Sequence, residues 1–216
     1  DIVITDGYEG GKAVIEYFRG LLLTLKGSSS EAMSVSVKWD GAPAVVCGTN
    51  PDNGKFFVGT KSVFAQAAKI NYTKRDIAKN HGTEELGQKL LKCLVHLKKL
   101  NIQGVVQGDL LYTDEDIVRK NISGKPHLTF TPNTITYAVP EQSDLGKQID
   151  RAKVGIIFHT TYNGETLADM TASGGADVSS FAKNDDVFFD NATYKDVSGS
   201  AKFTDAETKA FYNSIE

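Results

Sequence analysis

The chain has 216 residues, 40% hydrophobic and 24% charged, with a formal net charge of -3. That is enough apolar material for one large domain or a domain with an appendage, and it excludes an intrinsically disordered chain. The slight acidity excludes a protein that coats nucleic acid by bulk charge, while leaving room for a local basic groove.

Gly10–Gly27 places Ile15, Phe18, Leu22 and Leu25 on one helical face and stops at a glycine. A polar loop over 27–33 leads into a strand read over 34–48. "NPDNG" (50–54) reads as a hairpin turn into a strand over 55–62. A lysine-rich polar stretch (66–85) precedes a second helix at about 84–100, with Leu86, Leu90, Leu94 and Leu97 inward. Residues 102–113 read as a strand with two glycines, and 124–140 as two short strands around a Pro-Asn turn. A short helix (141–152), a strand (153–164), a weaker strand at 185–190 and a terminal helix from about Asp205 complete the pattern. Strands and helices without strict alternation predict an α+β fold built on antiparallel sheets flanked by helices.

Several functional classes drop out. Cys47 and Cys93 form no CxxC pair, which excludes a cysteine-based zinc site and fits a reducing compartment. His81, His96, His127 and His159 lack metal-binding spacing, so a protein-built metal cage is not expected. No apolar run approaches the roughly 18 residues of a membrane span, so no membrane partner is expected. Oligomeric state stays open. The chain opens on Asp1 rather than Met, which reads as a fragment or a processed form.

The chemistry concentrates in "SVKWDGAPAVV" (36–46). On a strand, Lys38 and Asp40 would face one pocket together. A lysine in an apolar strand must be paired, neutralised or given a task, because its charged form is disfavoured at low dielectric. Gly41 would let the backbone turn or a ligand approach closely, and Pro43 would limit further sheet pairing. A lysine amine becomes a nucleophile when nearby cations or desolvation favour its neutral form, and Lys61 on the returning strand is the natural cation. Asp109, following Gly108 at the end of a buried strand, needs a partner and is a site candidate.

"KWDG" resembles the K-x-D-G motif of the covalent nucleotidyltransferase superfamily of ATP-dependent DNA ligases, RNA ligases and mRNA capping enzymes. "GTKSVF" (59–64), "VVQGDLLYT" (105–113), "ITYAV" and "KVGIIFHTTY" (153–162) are similar to further motifs of that family, in its order, across roughly residues 34–162. The resemblance implies a ligase-type adenylation domain using ATP and Mg²⁺. It implies that Lys38 attacks the α-phosphate and carries the nucleotide as a phosphoramidate. It further implies nucleotide contacts from Val37, Asp40, Gly41, Lys61, Asp109 and Phe158. Asp109 would hold the ribose or a magnesium-bound water, and Phe158 would stack on the purine. RNA or DNA ends are the implied acceptors, RNA more than DNA because of the "GTKS" segment. The long pattern is also similar to an uncharacterised family encoded by tailed bacteriophages, which implies a host-cytoplasm setting.

Some positions depart from the family. Asp109 stands where it has Glu and His159 where it usually has Asp. The Glu-Gly and Lys-x-Lys motifs are not visible before Glu216, and "YKDVSGSAKF" (194–203) matches the latter poorly. Two expectations follow: an N-terminal piece of a longer ligase-like enzyme, or a catalytically crippled ligase-fold nucleotide-binding or host-interaction protein. In either case, weak or absent self-adenylation is expected of these 216 residues. The expected division is a helical lead-in (1–33), a nucleotidyltransferase-like core (34–165) and a C-terminal extension (166–216).

Overall fold

The computed structural model describes residues 2–27, 36–193 and 202–215. The chain divides into two compact units, Asp1–Val35 with Tyr194–Glu216, and Ser36–Thr193. In the first, a short helix α1 (Ile2–Thr5) precedes α2 (Gly7–Lys26). Gly27 ends α2 in the left-handed conformation (φ 77°), returning its N–H to Thr24 O, a geometry that a side chain would strain. The expected apolar face of α2 is only partly used, with Leu22 buried while Ile15 and Phe18 stay exposed. The polar loop expected over 27–33 lies, from residue 28, outside the described residues.

The second unit is α+β. Its strands are β1 (Ala44–Thr49), β2 (Phe56–Gly59), β3 (Val105–Thr113), β4 (Val118–Ile122), β5 (Lys125–Phe130), β6 (Tyr137–Pro140), β7 (Val154–Asn163), β8 (Thr171–Gly174) and β9 (Val187–Asn191). Its helices are α3 (Lys74–His81), α4 (Glu85–Leu97) and α5 (Asp144–Arg151), and the terminal helix α6 (Asp205–Ile215) returns to the first unit. Within that unit, Phe211 of α6 meets Phe18 of α2 at 6.2 Å and Phe203 at 5.7 Å between ring centroids.

The central sheet runs β2-β1-β3-β7-β8, with β9 pairing with β7. Most pairs are antiparallel, as expected, but β9 lies parallel to the first half of β7 and β8 antiparallel to the second half. Because β8 and β9 complete this sheet, the core does not stop at 165 but runs to Thr193.

Each face of the sheet is sealed by apolar side chains. Val45, Cys47, Val106, Ile156 and Phe158 meet Ile77 of α3 and Leu90, Cys93 and Leu97 of α4. On the other face, Val46, Phe57 and Val105 pack with Val63, Tyr162 and Leu167. Farther along that face, Leu111, Tyr112 and Ile157 meet Leu128 and Phe130 of the β4-β5-β6 sheet and Ile149 of α5. The gap between these two clusters is where polar side chains gather.

Three elements of this unit escaped the sequence reading. Helix α3 hides in a lysine-rich stretch and is set by a capping box, Thr73 accepting from Asp76 N–H while the Asp76 carboxylate accepts from Thr73 N–H. Strand β4 is exposed throughout, and β8 is likewise exposed, so neither shows apolar alternation. Leu86 also faces outward, its expected inward place taken by Gly87 and Cys93.

Leu90 is fully buried between α4 and the sheet. Leu90→Ala should lower stability by about 2–5 kcal/mol, read as a shifted urea midpoint with the m-value unchanged.

Candidate functional site

The sheet begins later than expected. Strand β1 starts at Ala44, and residues 37–43 form an irregular segment across its end. The strand placement of Lys38 and Asp40 is therefore corrected: they sit on a loop, and Lys38 is exposed rather than buried. Burial does not force Lys38 into a task.

The loop is fixed along its length. Val37, expected to contact the nucleotide, donates its N–H to Ala192 O at 2.8 Å, just past the end of β9, so its amide is already spent. The Trp39 ring lies 5.5 Å from that of Tyr137, which stacks on Phe130 at 5.5 Å, joining the loop to the cluster under β5 and β6. Asp40 N–H donates to the Tyr137 hydroxyl at 3.0 Å. Downstream, Ala42 N–H donates to Leu110 O at 3.0 Å and Leu110 N–H to Pro43 O at 3.1 Å.

The Asp40 carboxylate captures the turn between β5 and β6. Oδ2 accepts from the backbone N–H groups of Thr134 and Ile135, each at 2.7 Å, and Oδ1 from Asn133 Nδ2 at 2.9 Å. These bonds favour the ionised form, and they hold the Asp40 carboxyl below the ordinary aspartate range, the Ile135 amide contributing most, then Asn133 and Thr134. Lys38 adds a smaller electrostatic pull in the same direction.

Gly41 lies directly on Asp109. A Cβ at position 41 would stand 2.5 Å from Asp109 Cβ and 2.9 Å from Leu110 O, so only glycine permits this approach. Ala44 is also the register partner of Asp109. The "KWDG" loop and the "QGD" strand, 68 residues apart from Gly41 to Asp109, thus meet at backbone contact.

Asp109 has a partner supplied by a bulge. In the β3–β7 pairing, Gln107 faces Thr160 and Gly108 faces Phe158, leaving His159 as the extra residue on β7. The bulge turns His159 toward Asp109, with Nε2 at 3.3 Å from Oδ1. Its Nδ1 lies 2.8 Å from the Thr160 hydroxyl. A neutral ring that donates through Nε2 and accepts at Nδ1 satisfies both contacts. Both side chains keep partial exposure, 20% for Asp109 and 29% for His159. Nearby on β3, Gln107 is buried and accepts from the Tyr162 hydroxyl at 2.7 Å.

Phe158 is not part of this group. Its ring, expected to stack on a purine, is fully buried in the helix-side cluster, edge-on to Phe181 at 5.4 Å, and presents no open face to the Asp109 side. Lys61 is exposed at the start of a 3-10 turn (Lys61–Phe64), not on the strand that pairs with β1. The turn's Val63 and Phe64 do pack with Val46 and Tyr162, bringing that segment to the face that carries Gln107. "YKDVSGSAKF" lies outside the described residues up to position 201.

Among the described residues, no three His, Cys, Asp or Glu side chains gather to hold a metal ion. Of the acids expected at the site, Asp40 is spent on the 133–135 turn and only Asp109 faces the loop. That set does not build a cage, although one carboxylate suits Mg²⁺ carried mainly by a ligand's phosphates.

Sequence reasoning missed the partners of the loop. Tyr137, Asn133 and the amides of Thr134 and Ile135 all lie in the Pro-Asn turn region, which was readable as a turn but not as the receptor of Asp40. His159 had no role assigned, yet the ring faces Asp109, one of the two acids that the motif pattern singled out.

The site is thus a clamped lysine-bearing loop across an Asp–His pair, in an α+β protein. The chain belongs to the family described as "Family of unknown function (DUF6267)", matched over residues 1–216. No curated protein and no solved structure matches it. No described helix is long and apolar enough to cross a membrane.

Gly41→Ala should cost about 1–3 kcal/mol by forcing the loop off Asp109, visible as a lowered urea midpoint. Asp40 tests the clamp through pH. With its carboxyl depressed below 3.8, Asp40 stabilises the fold above that value and loses its contribution as pH falls through the folded value. Asp40→Asn should therefore be less stable than the parent at pH 7, and the gap should narrow by pH 3 in urea titrations.

Proposed function

We propose that this chain carries a ligase-like nucleotidyltransferase site in which Lys38 is the nucleophile. The observation that supports this reading most is the seating of Gly41 on Asp109, which unites two motifs resembling those of the superfamily. In the proposed reaction, Lys38 Nζ attacks the α-phosphorus of ATP. A P–N bond forms, the P–O bond to pyrophosphate breaks, and the amine proton passes to solvent. Asp109, oriented by His159, would accept hydrogen bonds from the ribose hydroxyls. The Asp40 clamp would keep the loop from moving as the phosphates settle, so catalysis rests on positioning. Mg²⁺, when bound, would neutralise phosphate charge, with Asp109 reaching it through water. The nucleotidyl group would then pass to a nucleic-acid end, with an RNA end the first candidate, in a host cytoplasm if the chain is phage-encoded.

A second reading is a ligase-fold nucleotide-binding or interaction protein that performs no transfer. It is favoured by Phe158 being sealed in the core, by Asp40 being spent on the 133–135 turn, and by Lys38 lying open to solvent.

Intact mass after incubation with ATP and Mg²⁺ separates the two. A gain of one AMP that pyrophosphate reverses, and that Lys38→Ala abolishes with the fold intact, is the result expected of the transferase. Saturable ATP binding by calorimetry with no adduct carries the second reading. An adduct that survives Lys38→Ala contradicts the assignment of the nucleophile.

A further inference from the structure

A second polar site lies at the other end of β1. A groove of about 610 Å³ opens beside the β1–β2 turn, lined by Thr49, Lys55, Phe56, Tyr72, Lys98 and Asn101 among others. Thr49 is five residues along β1 from Ala44, the partner of Asp109, which at ~3.3 Å per residue puts the groove about 16 Å from the Lys38 loop. Its volume falls in the range of small-molecule sites, ~300–1,000 Å³.

The polar part of the lining is rich in donors. No acidic side chain contributes to it, whereas Lys55 and Lys98 do, both exposed and without an ion pair among the described residues. The Tyr72 hydroxyl is oriented by two asparagines. Asn50 Oδ1 accepts from Asp52 N–H at 2.8 Å and Asn53 Oδ1 from Lys55 N–H at 3.0 Å, which fixes the direction of both amides. Their Nδ2 groups then both donate to the Tyr72 hydroxyl, at 2.7 and 3.0 Å. A hydroxyl that accepts twice has only its proton left to offer, so Tyr72 is a directed donor. Asn101 is set in a similar way: Gln103 Nε2 donates to its carbonyl oxygens at 3.3 and 3.2 Å, leaving the Asn101 amide nitrogen as a donor.

Two lysines, a tyrosine with a directed O–H and an asparagine line one groove whose lining holds no acid. We infer that this groove binds the phosphate of a nucleotide unit, either a free polyphosphate or one link of a nucleic-acid strand. Half-buried Phe56 and Tyr72 supply aromatic surface for the base or sugar of that unit. The net charge of -3 does not oppose this, because a local cluster sets the potential where the ligand sits. The inference stands independently of the reading of Lys38.

The test uses the full chain with two probes, a fluorescein-labelled oligothymidylate of about twelve nucleotides and inorganic triphosphate. Lys55→Ala/Lys98→Ala is compared with the parent and with Lys120→Ala on the exposed strand β4, equal urea midpoints showing that the exposed lysines are not needed for folding. The double variant should bind the oligonucleotide roughly tenfold more weakly at low salt. Its log affinity against log salt should flatten by about 1.4, from ~0.7 per lost phosphate contact on a single strand. Lys120→Ala should bind as the parent does. If triphosphate binding falls in the double variant and the parent ignores the oligonucleotide, the ligand is a free polyphosphate. A parent that binds neither probe, or a double variant that binds both as the parent does, overturns the inference.

Discussion

One carboxylate organises the loop on which the functional reading rests. Asp40 accepts two backbone N–H groups and an asparagine amide from the 133–135 turn, and its own N–H is held by Tyr137. These donors come from residues more than ninety positions away in the chain. Without this contact, the segment between the bridge at Ser36 and the start of β1 would have few ties across its middle. With it, the loop has one shape, and Gly41 is delivered to Asp109. Charged acceptors bound by several amides make strong, directional bonds, which is why a partly exposed aspartate can do this.

The sheet supplies the rest by two local irregularities. The extra residue on β7 turns His159 toward Asp109, and a second register shift between Leu110 and Tyr112 sends both Leu111 and Tyr112 to the β5–α5 cluster. Glycines make the close approaches possible. A Cβ at Gly108 would strike Ile157 O at 2.6 Å, and one at Gly155 would meet the Tyr112 ring at 2.1 Å. The apolar clusters on either side of Asp109 leave it half-open, with a defined partner and an accessible edge. Strand β1, followed from Ala44 beside Asp109 to its other end at Thr49, reaches the donor-lined groove and so links two polar sites through an apolar middle.

Much of the frame was legible in the sequence. The strong apolar runs became β3 and β7, the leucine spacing became α4, and the Pro-Asn turn did separate two strands. Those signals are local, and local patterning is what periodicity reads. The site was harder. "KWDG" looked like part of a strand because apolar residues flank it, but the Trp39–Tyr137 contact and the Asp40 clamp pull it off the sheet. Phe158 looked like a site aromatic because it sits in a motif-like strand, yet alternation points it into the helix-covered core. His159 faces Asp109 only because of a bulge, and a bulge leaves no mark in periodicity. Sequence pattern singled out Asp109 and Lys38; it could not report the long-range partners that hold Asp109 and the loop carrying Lys38.

The clamp at Asp40 is the central claim, and NMR of the backbone amides tests it most directly. The Thr134 and Ile135 amide resonances should move together between pH 6 and 2, following one titration with a midpoint below 3.8, because both donate to the carboxylate oxygen that is being protonated. In Asp40→Asn that shared transition should vanish. Amides that ignore pH in this range, or that titrate unchanged in Asp40→Asn, would contradict the clamp and with it the placement of Lys38.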